Sequence, residues 1–85
     1  MNATELLDTR QTTHGSFRDN AEFAQKIRNL YRASPSWLAM PYEHREALDM
    51  MATKFSRILS GQSDCRQHWE DVEGYARLAL EACTR

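Results

Sequence analysis

Apolar residues recur three and four positions apart along three stretches of the chain, and nowhere alternate one-for-one with polar residues as a half-buried strand would require. The first stretch places Phe17, Ala21, Ala24, Ile27 and Tyr31 on one helical face, at about 100° per residue. Ser16-Phe17-Arg18-Asp19 offers a hydroxyl cap with a carboxylate three positions on, directly after Gly15, which predicts a helix over 16–32. The second stretch carries Ala47, Leu48, Met51, Phe55, Ile58 and Leu59. It opens with Pro41 in its first turn, where a missing N–H costs nothing, and ends at Ser60-Gly61, which predicts a helix over 41–60. After the polar turn Gly61-Gln62-Ser63-Asp64, a third helix over 66–83 has Trp69, Val72, Ala76, Ala79, Leu80 and Cys83 as its core face.

The pattern predicts an all-α fold: one domain over residues 1–85, a small helical bundle of three main helices with a short N-terminal helix or arm over 1–13. In that arm Leu6 and Leu7 supply a weak apolar signal that Thr9, Gln11, Thr12 and Thr13 dilute. Ser34-Pro35-Ser36 breaks the first helix, and Trp37 and Leu38 are expected to fold back over one end of the core. Gly74, inside the third helix, implies close approach of a neighbouring helix or a ligand, since glycine there costs up to about 1 kcal/mol relative to alanine.

Eighty-five residues give a marginal core. That size, together with Tyr75, Leu78, Met50 and Ala82, which carry the apolar surface beyond one stripe, predicts a homo-oligomer, a dimer by default. Eleven Lys plus Arg against twelve Asp plus Glu leave no global positive field and exclude a DNA-coating role. Cys65 and Cys83 follow no secretory leader, and there is no membrane-spanning stretch, so a cytoplasmic protein without a disulfide is expected.

Candidate chemistry sits where polar side chains interrupt the apolar faces, because a buried polar group must be paired or serve a ligand. Asn20 points from the middle of the first face; Glu46, Met50, Lys54 and Arg57 flank the second; Asp71, Tyr75 and Leu78 flank the third. Arg57 offers an anion a planar fork and Lys54 a point charge, while Tyr75 or Trp69 offers a base a stacking surface. Each has a plainer alternative: an inter-helix salt bridge for Lys54 and Asp71, a solvated face for Glu46 and Asp49, a bond from Asn20 to a backbone carbonyl. His14 beside Gly15 reads as a cap or turn residue, His44 as part of a solvated first turn, and Met50-Met51 as core filler. Cys65 with His68 is a weak zinc signal, and there is no Gly-rich phosphate loop or nucleophile elbow.

Three segments carry a resemblance: His14-Gly15-Ser16-Phe17, the run Ala47-Leu48-Asp49-Met50 to Lys54 and Arg57, and His68-Trp69-Glu70-Asp71 to Gly74-Tyr75-Ala76. From about Thr9 to Leu80 the chain resembles a small family of phage and prophage proteins that share a His-Gly-x-Phe start, an Ala-Leu-Asp-Met-x-x-x-Lys-x-x-Arg helix and a His-Trp-x-Asp-x-x-Gly-Tyr-Ala helix. More remotely, the last two helices are similar to the all-α MazG-like nucleoside-triphosphate pyrophosphohydrolases, in which Glu-x-x-Glu and Glu-x-x-Asp hold Mg²⁺ against a phosphate chain. Carried over, Glu46 and Asp49 match the first pair and Asp71 the second Asp, so a possible Mg²⁺ would rest on Glu46, Asp49 and Asp71. His68 stands where the fourth carboxylate belongs, and Glu70, two residues on, faces another way.

Three functions remain open on this reading. The first is a phage-encoded protein that binds a nucleotide without turnover through Asn20, Lys54, Arg57, Asp71, Tyr75 and His14, sequestering a host nucleotide signal in counter-defence. The second is a Mg²⁺-dependent nucleotide pyrophosphohydrolase. The third is a protein-binding inhibitor of a host factor, docking through an apolar patch. The incomplete carboxylate set with retained bases favours the first.

Overall fold

The computed structural model describes residues 2–3 and 16–84 of the chain. His14, and all of the expected arm over 1–13 except residues 2–3, lie outside the described residues. The described fold is all-α: helix α1 spans Phe17–Ala33, α2 Tyr42–Arg57 and α3 Arg66–Glu81. A short 3-10 turn at Trp37–Ala39 joins the first two, and a wide π turn at Ile58–Gln62 leads to the third.

Local chemistry sets these boundaries. The Ser16 hydroxyl accepts from the Asp19 N–H at 3.1 Å, satisfying one of the orphan donors of α1. Ser34 then leaves helical geometry, and Pro35 cannot continue the hydrogen-bond ladder. Pro41 is the cap of α2 rather than a residue of its first turn. The α-helical ladder of α2 ends at Arg57, three residues before the expected end, and widens into the π turn. There Ser60 donates back to the Ser56 carbonyl at 2.7 Å, and Gly61 takes φ 107°, which other residues rarely adopt.

α2 is the middle of the fold: α1 and α3 each pack along it and meet each other only marginally. The enclosed apolar side chains among the described residues are Ala24, Trp37, Ala47 and Ala52, three of them alanines that let helices approach closely. Ala52 is 0% exposed, so any larger side chain there forces the helices apart. Among the described residues the largest fully buried side chains are polar, His68 and Ser56. Ser56 donates to the Thr53 carbonyl at 2.7 Å within its own helix.

Several expected faces are turned. The α3 surface toward the interior runs His68, Asp71, Val72, Tyr75 and Ala79, about one residue round from the expected stripe. Trp69 is 50% exposed because its indole N–H donates to the Ser63 carbonyl at 2.8 Å, holding the ring over the preceding turn instead of in the core. Leu80 is 61% exposed, and Leu59, Ala76 and Cys83 are exposed as well. Phe17 is 81% exposed although the α1 stripe includes it. Trp37 folds back as expected, stacking on Tyr31 with ring centroids 5.6 Å apart, while Leu38 stays in solvent. Gly74 is exposed, and no described atom lies within 4 Å of where its Cβ would stand, so close approach does not explain it.

No described helix is long and apolar enough to cross a membrane. Both cysteines are free.

Candidate functional site: the groove between α1 and α2

The contact between α1 and α2 is fastened by charge. Arg32 makes a forked pair with Asp49, Nη1 to Oδ1 at 3.1 Å and Nη2 to Oδ2 at 2.9 Å, and its guanidinium lies 5.0 Å from the centre of the Trp37 ring. Arg28 donates to the Asp49 carbonyl at 2.8 Å and to the Thr53 hydroxyl at 2.7 Å, with its Nε 3.7 Å from the Asp49 carboxylate. The hydrogen bond from Arg32 to Asp49 raises the Arg32 pKa above its ordinary value. Burial, reinforced by the Asp49 charge and opposed by Arg28, pushes the Tyr31 phenol up.

Asp49 is therefore the anchor of two arginines. Asp71 takes Lys54, Nζ to Oδ2 at 2.9 Å, across the contact between α2 and α3. Glu46 lines a different groove, beside Tyr75. Among the described residues no three His, Cys, Asp or Glu side chains are grouped to hold a metal, so Glu46, Asp49 and Asp71 do not assemble the expected Mg²⁺ set. The reason is that arginines and a lysine from neighbouring helices have claimed two of the carboxylates and fixed them toward different seams. Cys65 and His68 likewise belong to no such group.

One groove does gather anion-binding groups. Beyond the Asp49 anchor, α1 and α2 enclose a groove of about 220 Å³ lined by Phe17, Asn20, Gln25, Arg28, Ser56 and Arg57, among others. Two of the expected ligand residues, Asn20 and Arg57, thus share one groove; Lys54, Asp71 and Tyr75 do not line it. Arg28 shares the single Asp49 carboxylate with Arg32. Arg57 makes no ion pair among the described residues, although its last-turn position also suits the negative end of the helix dipole. That end carries only about half a unit charge, which leaves Arg57 under-compensated.

The buried His68 senses this excess. Burial lowers its pKa first, then the charges of Arg57 and Lys54, with Asp71 pulling the other way. Two cations face one carboxylate. The neutral ring places Nε2 3.1 Å from Oε1 of Gln62, in the turn that ends α2; since that amide oxygen only accepts, Nε2 carries the proton.

No family model, curated protein or solved structure matches this chain.

The α2–α3 contact has a different character. His44, expected on a solvated turn, is half-buried and its Nε2 donates to the Ala79 carbonyl at 2.9 Å, tying the start of α2 to the end of α3. On either side of this tie lie grooves lined largely by apolar groups: one by Met40, Ala47, Leu48, Met51, Ala76 and Leu80 among others, the other by Tyr42, Ala47, Tyr75 and Leu78 with Glu43 and Glu46.

Sequence reasoning missed Phe17, Gln25, Arg28 and Ser56 as lining residues. A signal for part of this was present: Asn20, Ala24 and Arg28 fall four apart, as do Thr53 and Arg57, so two polar ridges with small residues between them were set to face each other.

Proposed function

We propose that this chain binds a nucleotide without turning it over, in the groove between α1 and α2. The observation that carries the reading is Arg57, a guanidinium with no carboxylate partner among the described residues, lining a groove of mixed polarity that the exposed Phe17 also lines. An arginine fork suits a phosphate, and an exposed aromatic ring suits a base. The amides of Asn20 and Gln25 offer both donors and acceptors for the remaining polar edges.

Size limits how much of a nucleotide the groove can enclose. At about 220 Å³ the groove is below the roughly 300 Å³ at which small-molecule sites begin. It would take the phosphate and sugar and leave the base over Phe17. Lys54 and Asp71 serve this reading as a structural pair that keeps the end of α2 beside α3, and Tyr75 stands outside the groove. Hydrolysis finds no support, because Glu46, Asp49 and Asp71 are not grouped and the reading assigns no Mg²⁺.

The likeness to phage proteins adds the biological form of the proposal: a phage protein that captures a host nucleotide signal and so blunts a defence response. The exposed Leu30, Leu59 and Leu80 support a homo-oligomer, with a dimer as the simplest closed form.

The test is isothermal titration with a panel of mono-, tri- and cyclic nucleotides, with and without Mg²⁺, followed by chromatography of each mixture. The expected result is saturable binding with the nucleotide recovered intact and no requirement for Mg²⁺. Arg57→Ala should weaken it by about tenfold or more, the loss of one charge-assisted contact. Conversion to products would instead establish a pyrophosphohydrolase. Absence of binding across the panel would leave the inhibitor reading, in which the exposed apolar face docks on a protein.

A further inference from the structure

A second groove, on the far seam of α2, has the opposite electrostatic sign. It measures about 440 Å³ and lies between the first turns of α2 and the second half of α3. Tyr42 and Tyr75 supply aromatic surface, Ala47 and Leu78 an aliphatic floor, and Glu43 and Glu46 the charged side chains among the described residues that line it. Neither glutamate makes an ion pair among the described residues. The positive end of α2, about half a unit charge, and the Arg45 guanidinium against the Tyr42 ring offset part of the two carboxylates and leave the groove a small negative excess.

The aromatic wall already shows its preference. The Arg45 guanidinium sits 4.8 Å from the centre of the Tyr42 ring, the geometry of a cation held by the π face. Arg45 Nε is buried with no hydrogen-bond partner among the described residues.

We propose that this groove binds an aliphatic diamine or polyamine. Glu43 and Glu46 are three residues apart on one helix, which puts their Cβ atoms about 5–6 Å from each other. A diamine with three or four methylenes spans such a pair with one ammonium at each carboxylate. Its carbon chain then lies on Ala47, Leu78 and the Tyr75 ring, so that both the charged ends and the apolar middle are matched. A divalent metal ion has no use for the rings or the aliphatic floor, and a flat aromatic cation has no reason to need two separated carboxylates. The site is independent of the nucleotide groove, which lies on the opposite seam of α2.

The experiment is an NMR titration of the intact protein with putrescine and spermidine, following the Tyr42 and Tyr75 ring resonances. Mg²⁺ and the uncharged four-carbon diol serve as controls. The expected result is saturable one-to-one shifts of both tyrosines with the amines and none with the diol. Glu46→Gln should weaken the amine at least tenfold, and Tyr75→Leu should weaken it while the fold, followed by circular dichroism, is retained. Arg57→Ala should leave it unchanged. Shifts that Mg²⁺ reproduces at equal concentration, or that survive Glu46→Gln at full strength, would overturn the proposal, as would no saturable shift at all.

Discussion

The two seams of α2 are built from different materials. Toward α1 it presents Asp49, which holds Arg28 and Arg32 together and through Arg32 reaches the Trp37–Tyr31 stack. Toward α3, among the described residues, it presents Lys54, paired with Asp71, and His44, bonded to the Ala79 carbonyl, while α3 itself contributes the buried neutral His68. A seam fastened by paired charges closes tightly and leaves a small polar groove where the pairing runs out, at Arg57. A seam fastened by few bonds leaves wide apolar grooves on both sides. The lesson is that unspent charge, rather than charge as such, marks a candidate site.

The sharpest way to break this comparison is to remove Asp49. Asp49→Ala leaves the half-buried Arg28 without a carboxylate and should cost about 2 kcal/mol in a urea melt. Lys54→Met on the other seam should cost less, about 1 kcal/mol, because its partner Asp71 is a third exposed and can recover solvent. Equal losses would mean that the seams do not differ. A gain is expected at Gly74, where Gly74→Ala meets open space on an exposed helix surface and should add about 0.5–1 kcal/mol.

A smaller effect follows from His68. Its folded pKa lies below the ordinary 6.5, so in acid the unfolded chain takes up a proton that the folded chain refuses. This contribution to stability is complete above about pH 6.5 and is lost as pH falls from there toward the folded pKa. Urea midpoints measured across that range should fall with acid, and Lys54→Met should shallow the fall, since it removes one of the cations that oppose protonation and leaves Asp71 to favour it.

Much of the fold was legible in the sequence, for reasons that individual residues make clear. Ser16, Pro35, Pro41 and Gly61 act through backbone chemistry that needs no tertiary context, and they bound the helices within a few residues. The α1 stripe from Ala21 to Tyr31 also survives, because one neighbour covers it. On α3 the stripe misleads by about one residue. Apolarity selects Trp69 and Leu80, but the Ser63 carbonyl draws Trp69 outward, and Lys54 and the alanines of α2 favour Asp71, Tyr75 and His68 inside. Such choices are made between helices and leave no local mark.

The candidate site was half legible. Asn20 and Arg57 stand out as polar residues on apolar faces, and they do share a groove. The carboxylates Glu46, Asp49 and Asp71 stood out equally, yet which cation each one meets is decided by the packing of α1 and α3, not by spacing along α2. Phe17 escaped notice because an aromatic at the start of an amphipathic stripe reads as core, whereas here no described residue encloses it.

The central claim is that a nucleotide occupies the α1–α2 groove, and amide chemical-shift mapping on the tightest ligand of the titration panel tests it directly. The account predicts shifts concentrated at Phe17, Asn20, Arg28, Thr53 and Arg57, with the His68 pKa rising as bound phosphate offsets the Arg57 charge. Shifts centred on Tyr75 and Leu78, with Arg57 and His68 unmoved, would contradict it.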